Sequence, residues 1–246
     1  MQEFRADLHI HTVLSPCADL EMTPTNIIQQ ARNAQLDIIG ITDHNSTKNA
    51  LVVKAVAERS GIFVLTGVEI TTKEEVHCLA FFEKDEQLTD FQSVLDQYLT
   101  QIPNPDGHFG YQPVIDANEN ILELTPNYLA AALKLGISEI QHKVHELEGI
   151  FIPAHATRPA NGIFAQLGFI PPDLKFDALG ITAKTKSEDL RKQFGLRSDQ
   201  SLVYNSDAHF PNQIGKNFTK FIMEEISFQE IKMALNQQNN RKVLDR

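Results

Sequence analysis

Short apolar runs near residues 4–9, 37–42, 62–70, 76–82, 149–154, 177–181, 201–206 and 218–223 alternate with amphipathic stretches near 24–35, 47–59, 87–100, 128–134, 138–148, 187–194 and 227–237. The runs have strand lengths and the periodic stretches have helix lengths. This βαβα rhythm admits few folds, because parallel strands need crossover helices, and those crossovers bring the strands' carboxyl ends to one side. Helix starts are marked by Thr23 before Pro24, by Ser187 before Glu188 and Asp189, and by Ser227 three residues ahead of Glu230. An α/β fold is therefore predicted. At 246 residues and 42% hydrophobic content the chain can form one large α/β barrel or two small domains. No repeat, low-complexity tract or Gly/Ser linker divides it, so one domain over 1–246 is expected.

Polar residues interrupt these runs where the strands end. "DLHIHT" places His9 and His11 at the end of the first, two residues apart and so on one face of a strand, where they form a bidentate metal grip or a solvent-facing pair. "TDHN" places Asp43 and His44 after the second run, and "GVEI" places Glu69 at the end of the third. "PAHATRP" places His155 after the fifth, and "SDAH" places Asp207 and His209 after the seventh. His77 stands near the start of a run, but an antiparallel hairpin around "TTKEE" would set it beside Glu69. In a (β/α) barrel, residues at the carboxyl ends of distant strands converge. Partly buried charges at such positions are costly unless paired or metal-bound.

Residues 102–127, with four prolines and a turn at Asn118–Asn120, are predicted to be an insertion carrying a small hairpin. His142 and His145 are predicted to lie on an exposed helix surface, and His108 in a loop. The formal charge of −10 disfavours an extended nucleic-acid or anionic-membrane surface. No apolar run approaches 18 residues and no basic-then-apolar leader opens the sequence, so neither a membrane span nor a secretory signal is expected. Cys17 and Cys78 form no CxxC and require no oxidising compartment, so the expected location is cytoplasmic.

Taken in order, "DLHIHT" (7–12), "TDHN" (42–45), "GVEI" (67–70), "EVHCLA" (75–80), "PAHATRP" (153–159) and "SDAH" (206–209) resemble the polymerase and histidinol phosphatase (PHP) family. The resemblance implies a distorted seven-stranded (β/α) TIM-like barrel with two or three divalent metal ions, zinc, manganese or iron, at its carboxyl-terminal mouth. It implies a first ion on His9, His11, Glu69 and Asp207, and a second shared through Glu69 with His77 and His155. A third would sit on His44 and His209, with Asp43 in or beside that shell. The eighth run, "FTKFIM", exceeds the family's strand count and either closes the sheet or lies outside it.

On this reading the chain is expected to be a metal-dependent phosphoesterase acting on a small phosphorylated molecule. Arg158 would clamp phosphate oxygens, or else cap a turn before Pro159. Asp43 or His209 would pass a proton to the leaving oxygen. Two rival readings are an exonuclease or oligonucleotide phosphodiesterase, and a catalytically silent metal-binding domain. Cys17 stands where some relatives carry a histidine; it would ligate the third ion as a thiolate, or pack behind "SP" while water or Asp19 serves instead.

Overall fold

The computed structural model describes residues 1–182 and 186–245. Strand β1 (Gln2–Ile10) is followed by α1 (Pro24–Asn33), β2 (Ile38–Ile41), α2 (Ala50–Ala57) and β3 (Phe63–Thr71). Next come β4 (His77–Phe81), α3 (Asp85–Tyr98), the hairpin strands β5 (Pro113–Ile115) and β6 (Ile121–Leu124), and α4 (Ile137–Glu146). The remainder is β7 (Ile150–Pro153), α5 (Ile163–Leu167), β8 (Leu179–Ile181), α6 (Ser187–Phe194), β9 (Leu202–Tyr204), β10 (Thr219–Met223), α7 (Phe228–Leu235) and β11 (Lys242–Val243).

Among the described residues one sheet has seven strands, in the order β11-β10-β1-β2-β3-β4-β7. β1, β2 and β3 are parallel, whereas β4 runs antiparallel to both β3 and β7. Gly67 permits the close β3–β4 approach, since a Cβ there would stand 2.2 Å from the Ala80 carbonyl oxygen. An apolar cluster takes Leu8, Ile38, Leu65, Leu79, Ile152 and Val203 from six strands and Ile231 from α7, and the sheet curls about it. Ile39, Ile41, Val68 and Ile70 belong instead to a second cluster with Ile27 of α1, Val53 of α2, Phe91 of α3 and Ile140 of α4. Each fully buried side chain of this kind contributes roughly 1.5–3 kcal/mol.

The expected closed barrel is not formed: the main sheet is a curled half-barrel, and β8 and β9 make a separate parallel pair. "FTKFIM" accounts for this. As β10 it pairs antiparallel with Gln2–Ala6 and so occupies the edge of β1 that a barrel strand would need. Only the end of β1 stays free on that side. There Leu8 N–H donates to Asn205 Oδ1 (3.1 Å), Ala208 N–H donates to His9 O (3.1 Å), and His11 N–H donates to Ala208 O (3.0 Å). At the other edge Asp177 N–H donates to Phe151 O (2.9 Å) and Ala156 N–H to Gly180 O (2.8 Å). The β8–β9 pair thus spans the gap without completing a ladder.

Thr23 and Ser227 cap α1 and α7 through bonds from the Asn26 and Glu230 amides (3.4 and 3.2 Å), as predicted. Ser187 instead begins α6, with Lys186 at the cap position. The helix predicted over 128–134 is absent: Leu129 and Ala131 lie in a turn, and their carbonyls accept bonds from Asn45 Nδ2 (2.6 and 2.8 Å). Leu133 N–H likewise donates to Thr71 O and Lys134 N–H to Tyr98 O, so tertiary partners take the groups a helix would pair internally. The predicted hairpin is present, and Asp116 Oδ1 holds its turn by accepting from the Asn118 and Asn120 amides (2.9 and 2.8 Å). Its first strand is seated in the core. Val114 and Ile115 are buried, and Asn49 binds the backbone at Pro113 and Ile115.

Candidate metal centre

Glu69, on β3, is the hub of the site. Its Oε1 lies 3.2 Å from His9 Nε2, 3.0 Å from His77 Nδ1 and 3.1 Å from His155 Nε2. Its Oε2 lies 3.2 Å from both His11 Nε2 and His44 Nδ1. Asp207, in the loop after β9, places Oδ1 3.2 Å from His9 Nε2, 3.3 Å from His11 Nε2 and 3.7 Å from His209 Nδ1. The antiparallel β3–β4 turn delivers His77 as expected: it pairs with Thr71, two residues beyond Glu69, and so shares Glu69's face.

These donor atoms suit divalent ions. Separations of 3.0–3.3 Å match the edge of a coordination polyhedron whose bonds are about 2.0–2.1 Å long. Among the described residues three overlapping donor groups form: His9, His11, Glu69 and Asp207; His44, Glu69 and His77; and His11, His44 and His209, while His155 lies outside all three but 3.1 Å from Glu69 Oε1. His44 Nδ1 and Asp207 Oδ1 are buried and make no hydrogen bond. Protonation suits ligation at several of these donors, whereas at His11, which burial would lower, the Asp207 and Glu69 carboxylates raise the imidazole to about 10. Burial holds the His44, His155 and His209 imidazoles below their ordinary range, His209 at about 4. Burial alone would raise Glu69, but His9, His77 and His44 hold its carboxyl well below the usual carboxylate range.

The other sequence-predicted residues take different places. Asp43 is turned away from the cluster. Its Oδ1 accepts Thr12 N–H and Ser15 Oγ–H, and its Oδ2 accepts Thr12 Oγ1–H, all at 2.7 Å. Ser15 Oγ lies 2.8 Å from His11 Nδ1, so Asp43 reaches the site through the serine that orients that ring. Arg158 lies at the rim, its side chain 47% exposed and its guanidinium donating to Asp207 Oδ2. Cys17 is exposed in the wall of the mouth and belongs to none of the three donor groups. His142 is exposed and pairs with Glu146 (3.2 Å). His145, predicted to be exposed, is half-buried because it docks on Asp177 (3.5 Å).

Sequence reasoning passed over Thr12, Ser15 and Asn45. Asn45 donates to the 129–131 turn and accepts from Thr71 N–H (3.1 Å), fixing the end of β3 next to Glu69. A hydroxyl within one turn of a ligand histidine was the available signal for Ser15, since such a ring needs its second nitrogen held. Backbone conformation was hidden altogether. Asn45, His155 and Asp207 have φ of 43°, 30° and 55°, left-handed values that cost non-glycine residues about 1–3 kcal/mol each and gather at functional sites.

The cluster opens into a cavity of about 560 Å³. A larger groove, about 1040 Å³ between the 168–177 segment and the end of α6, contains no member of it. Among the described residues no helix is long and apolar enough to cross a membrane.

The uncharacterised protein YqxK of Bacillus subtilis (strain 168) is 22% identical, over 99% of this chain and 65% of that protein. Among solved structures, the lesion-specific endonuclease PfuEndoQ of Pyrococcus furiosus superposes with a TM-score of 0.76 at 23% identity, over 99% of this chain and 58% of that one. Endonuclease Q in complex with a 27-mer duplex gives 0.73 at 21%, over 98% of this chain and 58% of that one. The chain thus spans less than two thirds of the length of each of these relatives. At such identities the likeness shows the fold. The PHP domain family is matched directly over residues 7–135, more than half of the 246 residues, and this span holds His9, His11, Asp43, His44, Glu69 and His77. The chain belongs to the PHP domain family.

Proposed function

We propose that this chain is a metal-dependent phosphoesterase whose substrate is a phosphodiester of nucleic acid. The observation that carries the hydrolase reading is the buried Glu69-centred cluster, in which five histidines approach one carboxylate within 3.2 Å. His9, His11, Glu69 and Asp207 would hold one ion, and Glu69, His77 and His155 a second. His44 and His209 would hold a third, since His11 has only Nε2 to offer, its Nδ1 being bonded to Ser15. Zinc, manganese and iron all suit this mixture of imidazole and carboxylate. Bound there, divalent ions would polarise a phosphoryl oxygen and acidify an attacking water.

The chain's own residues supply the remainder. Arg158, at the rim, would turn its fork from Asp207 to the non-bridging phosphate oxygens and stabilise charge that grows in the transition state. His209 lines the cavity and, when it holds no ion, would exchange a proton with the leaving oxygen. Asp43 would not, because Thr12 and Ser15 occupy both its oxygens. The silent-module reading is disfavoured, since the donor set is intact.

Substrate class shifts from the small phosphorylated molecule expected from sequence toward nucleic acid. What supports this is the likeness of nearly the whole chain to a lesion-specific endonuclease. The net charge of −10 is the observation on the side of a small substrate. The two readings separate when the metal-supplemented protein is given lesion-bearing oligonucleotides and, separately, a panel of phosphorylated metabolites. Metal-dependent strand cleavage is expected. Phosphate release from monoesters alone would restore the small-molecule reading, and inactivity on both would favour a binding module.

A further inference from the structure

An exposed phenyl ring lines the same cavity as the donor cluster. Phe210 is 46% exposed and follows His209, whose ring stacks on His11 with centroids 4.1 Å apart. The backbone carrying it is pinned. Gln213 Oε1 accepts the amides of His209 (2.8 Å) and Phe210 (3.3 Å), and Asp19 N–H donates to His209 O (2.9 Å). The backbone that carries the phenyl is therefore held beside the cluster, and the ring lines both this cavity and a smaller one bounded by Asp19 and Glu21.

The charge of the cavity says what such a ring is for. Arg158 is the one Lys or Arg side chain lining it among the described residues, and the chain as a whole is acidic. Among the described residues the cavity wall adds a single guanidinium to the ions the cluster would hold, so attraction is concentrated on the scissile phosphate and the adjoining nucleotide needs another contact. Aromatic faces supply the other large contribution to single-strand binding, because every base has a π face. A phenyl ring offers no hydrogen bond to the hydroxyls of a phosphorylated sugar or polyol, and the C–H face of a sugar covers less of the ring than a flat base does. A cavity of about 560 Å³ is within the range that holds a small organic ligand.

We infer that Phe210 is a nucleobase-stacking residue that seats the base adjoining the scissile phosphate. The assignment deepens the phosphodiester reading above and rests on it. A second aromatic group offers the natural comparison. Gly110, with φ of 104°, lies so close to Pro16 that a Cβ would stand 2.0 Å from the Pro16 carbonyl oxygen. This contact brings Phe109, 43% exposed and 4.8 Å from the His108 and Tyr128 rings, to the loop that carries Cys17.

The test is a binding titration in calcium, which needs no turnover. One probe is a short single-stranded oligonucleotide with a central 2-aminopurine, and the other carries tetrahydrofuran at that position. Wild type should quench the 2-aminopurine and bind the base-bearing probe about tenfold tighter than the base-free one. Phe210→Ala should lose both effects while retaining its bound metal, and Phe210→Tyr should keep them. Equal or absent binding of the two probes by wild type would overturn the assignment, as would unchanged discrimination in Phe210→Ala. Loss in Phe109→Ala with none in Phe210→Ala would also overturn it, by moving the platform to the insertion. Hydrolysis of both probes in manganese is measured in parallel. Cleavage without base dependence leaves the phosphoesterase reading intact while stacking fails, and base-dependent quenching without cleavage does the reverse.

Discussion

His155 Nε2 lies 3.1 Å from Glu69 Oε1, although the two residues are 86 positions apart. One sits on β3 and the other follows β7, with β4 hydrogen-bonded between those strands. Glu69 is thereby the single carboxylate that several elements share. Glu69→Gln is expected to lower bound metal after dialysis and to reduce hydrolysis by more than the roughly 10–100-fold typical of an outer-layer partner. Metal analysis beside activity measurements checks it, and wild-type metal content in the variant would remove Glu69 from the hub.

Arg158 touches a donor without belonging to a donor group. Arg158→Ala should keep metal content near wild type while turnover falls about a hundredfold, the scale of a lost oxyanion donor. Loss of metal, or unchanged catalysis, would contradict the phosphate-clamp role.

Asp43 acts through Thr12 and Ser15, and Ser15 faces His11. In Asp43→Asn one carboxylate oxygen becomes an N–H donor, and an acceptor is lost. Metal affinity should drop about 10–100-fold, as for other groups that orient a ligand, and Ser15→Ala should reproduce part of the drop. A chelator competition titration measures both. Outright loss of one metal equivalent in Asp43→Asn would make Asp43 a ligand itself.

Asp177 lies outside the metal centre, where it accepts Phe151 N–H (2.8 Å) and Asn236 Nδ2–H (2.7 Å) and faces His145. Burial would raise its carboxyl, but His145 and the Phe151 and Asn236 donors together hold it below the usual 3.8. Its contribution is therefore complete above about pH 4 and is lost as pH falls through the folded value. Asp177→Asn should cost about 1–3 kcal/mol at neutral pH. The gap from wild type should narrow as pH is lowered from about 5 to about 2. Urea midpoints along that series decide it, and a gap that stayed constant would mean the carboxylate's charge is not what stabilises the fold.

Most of the donor set was legible because chemistry and strand periodicity coincide. His9, His11, His44, Glu69, His155, Asp207 and His209 end apolar runs, and burial makes such positions costly without a partner. The hairpin placing His77 followed from the turn between two strands of opposite direction. The sequence by itself therefore determined the α/β class, the helices with clear caps and the residues able to bind metal. Tertiary structure decided what local pattern cannot carry. It took the 129–131 carbonyls for Asn45 and so prevented a helix over 128–134. It turned Asp43 toward two hydroxyls, although the residue is adjacent in sequence to His44. It set β10 on the edge of β1 and left the barrel open. In each case a backbone or side-chain group had two acceptable partners, one local and one distant, and the choice between them is made only when the chain has packed.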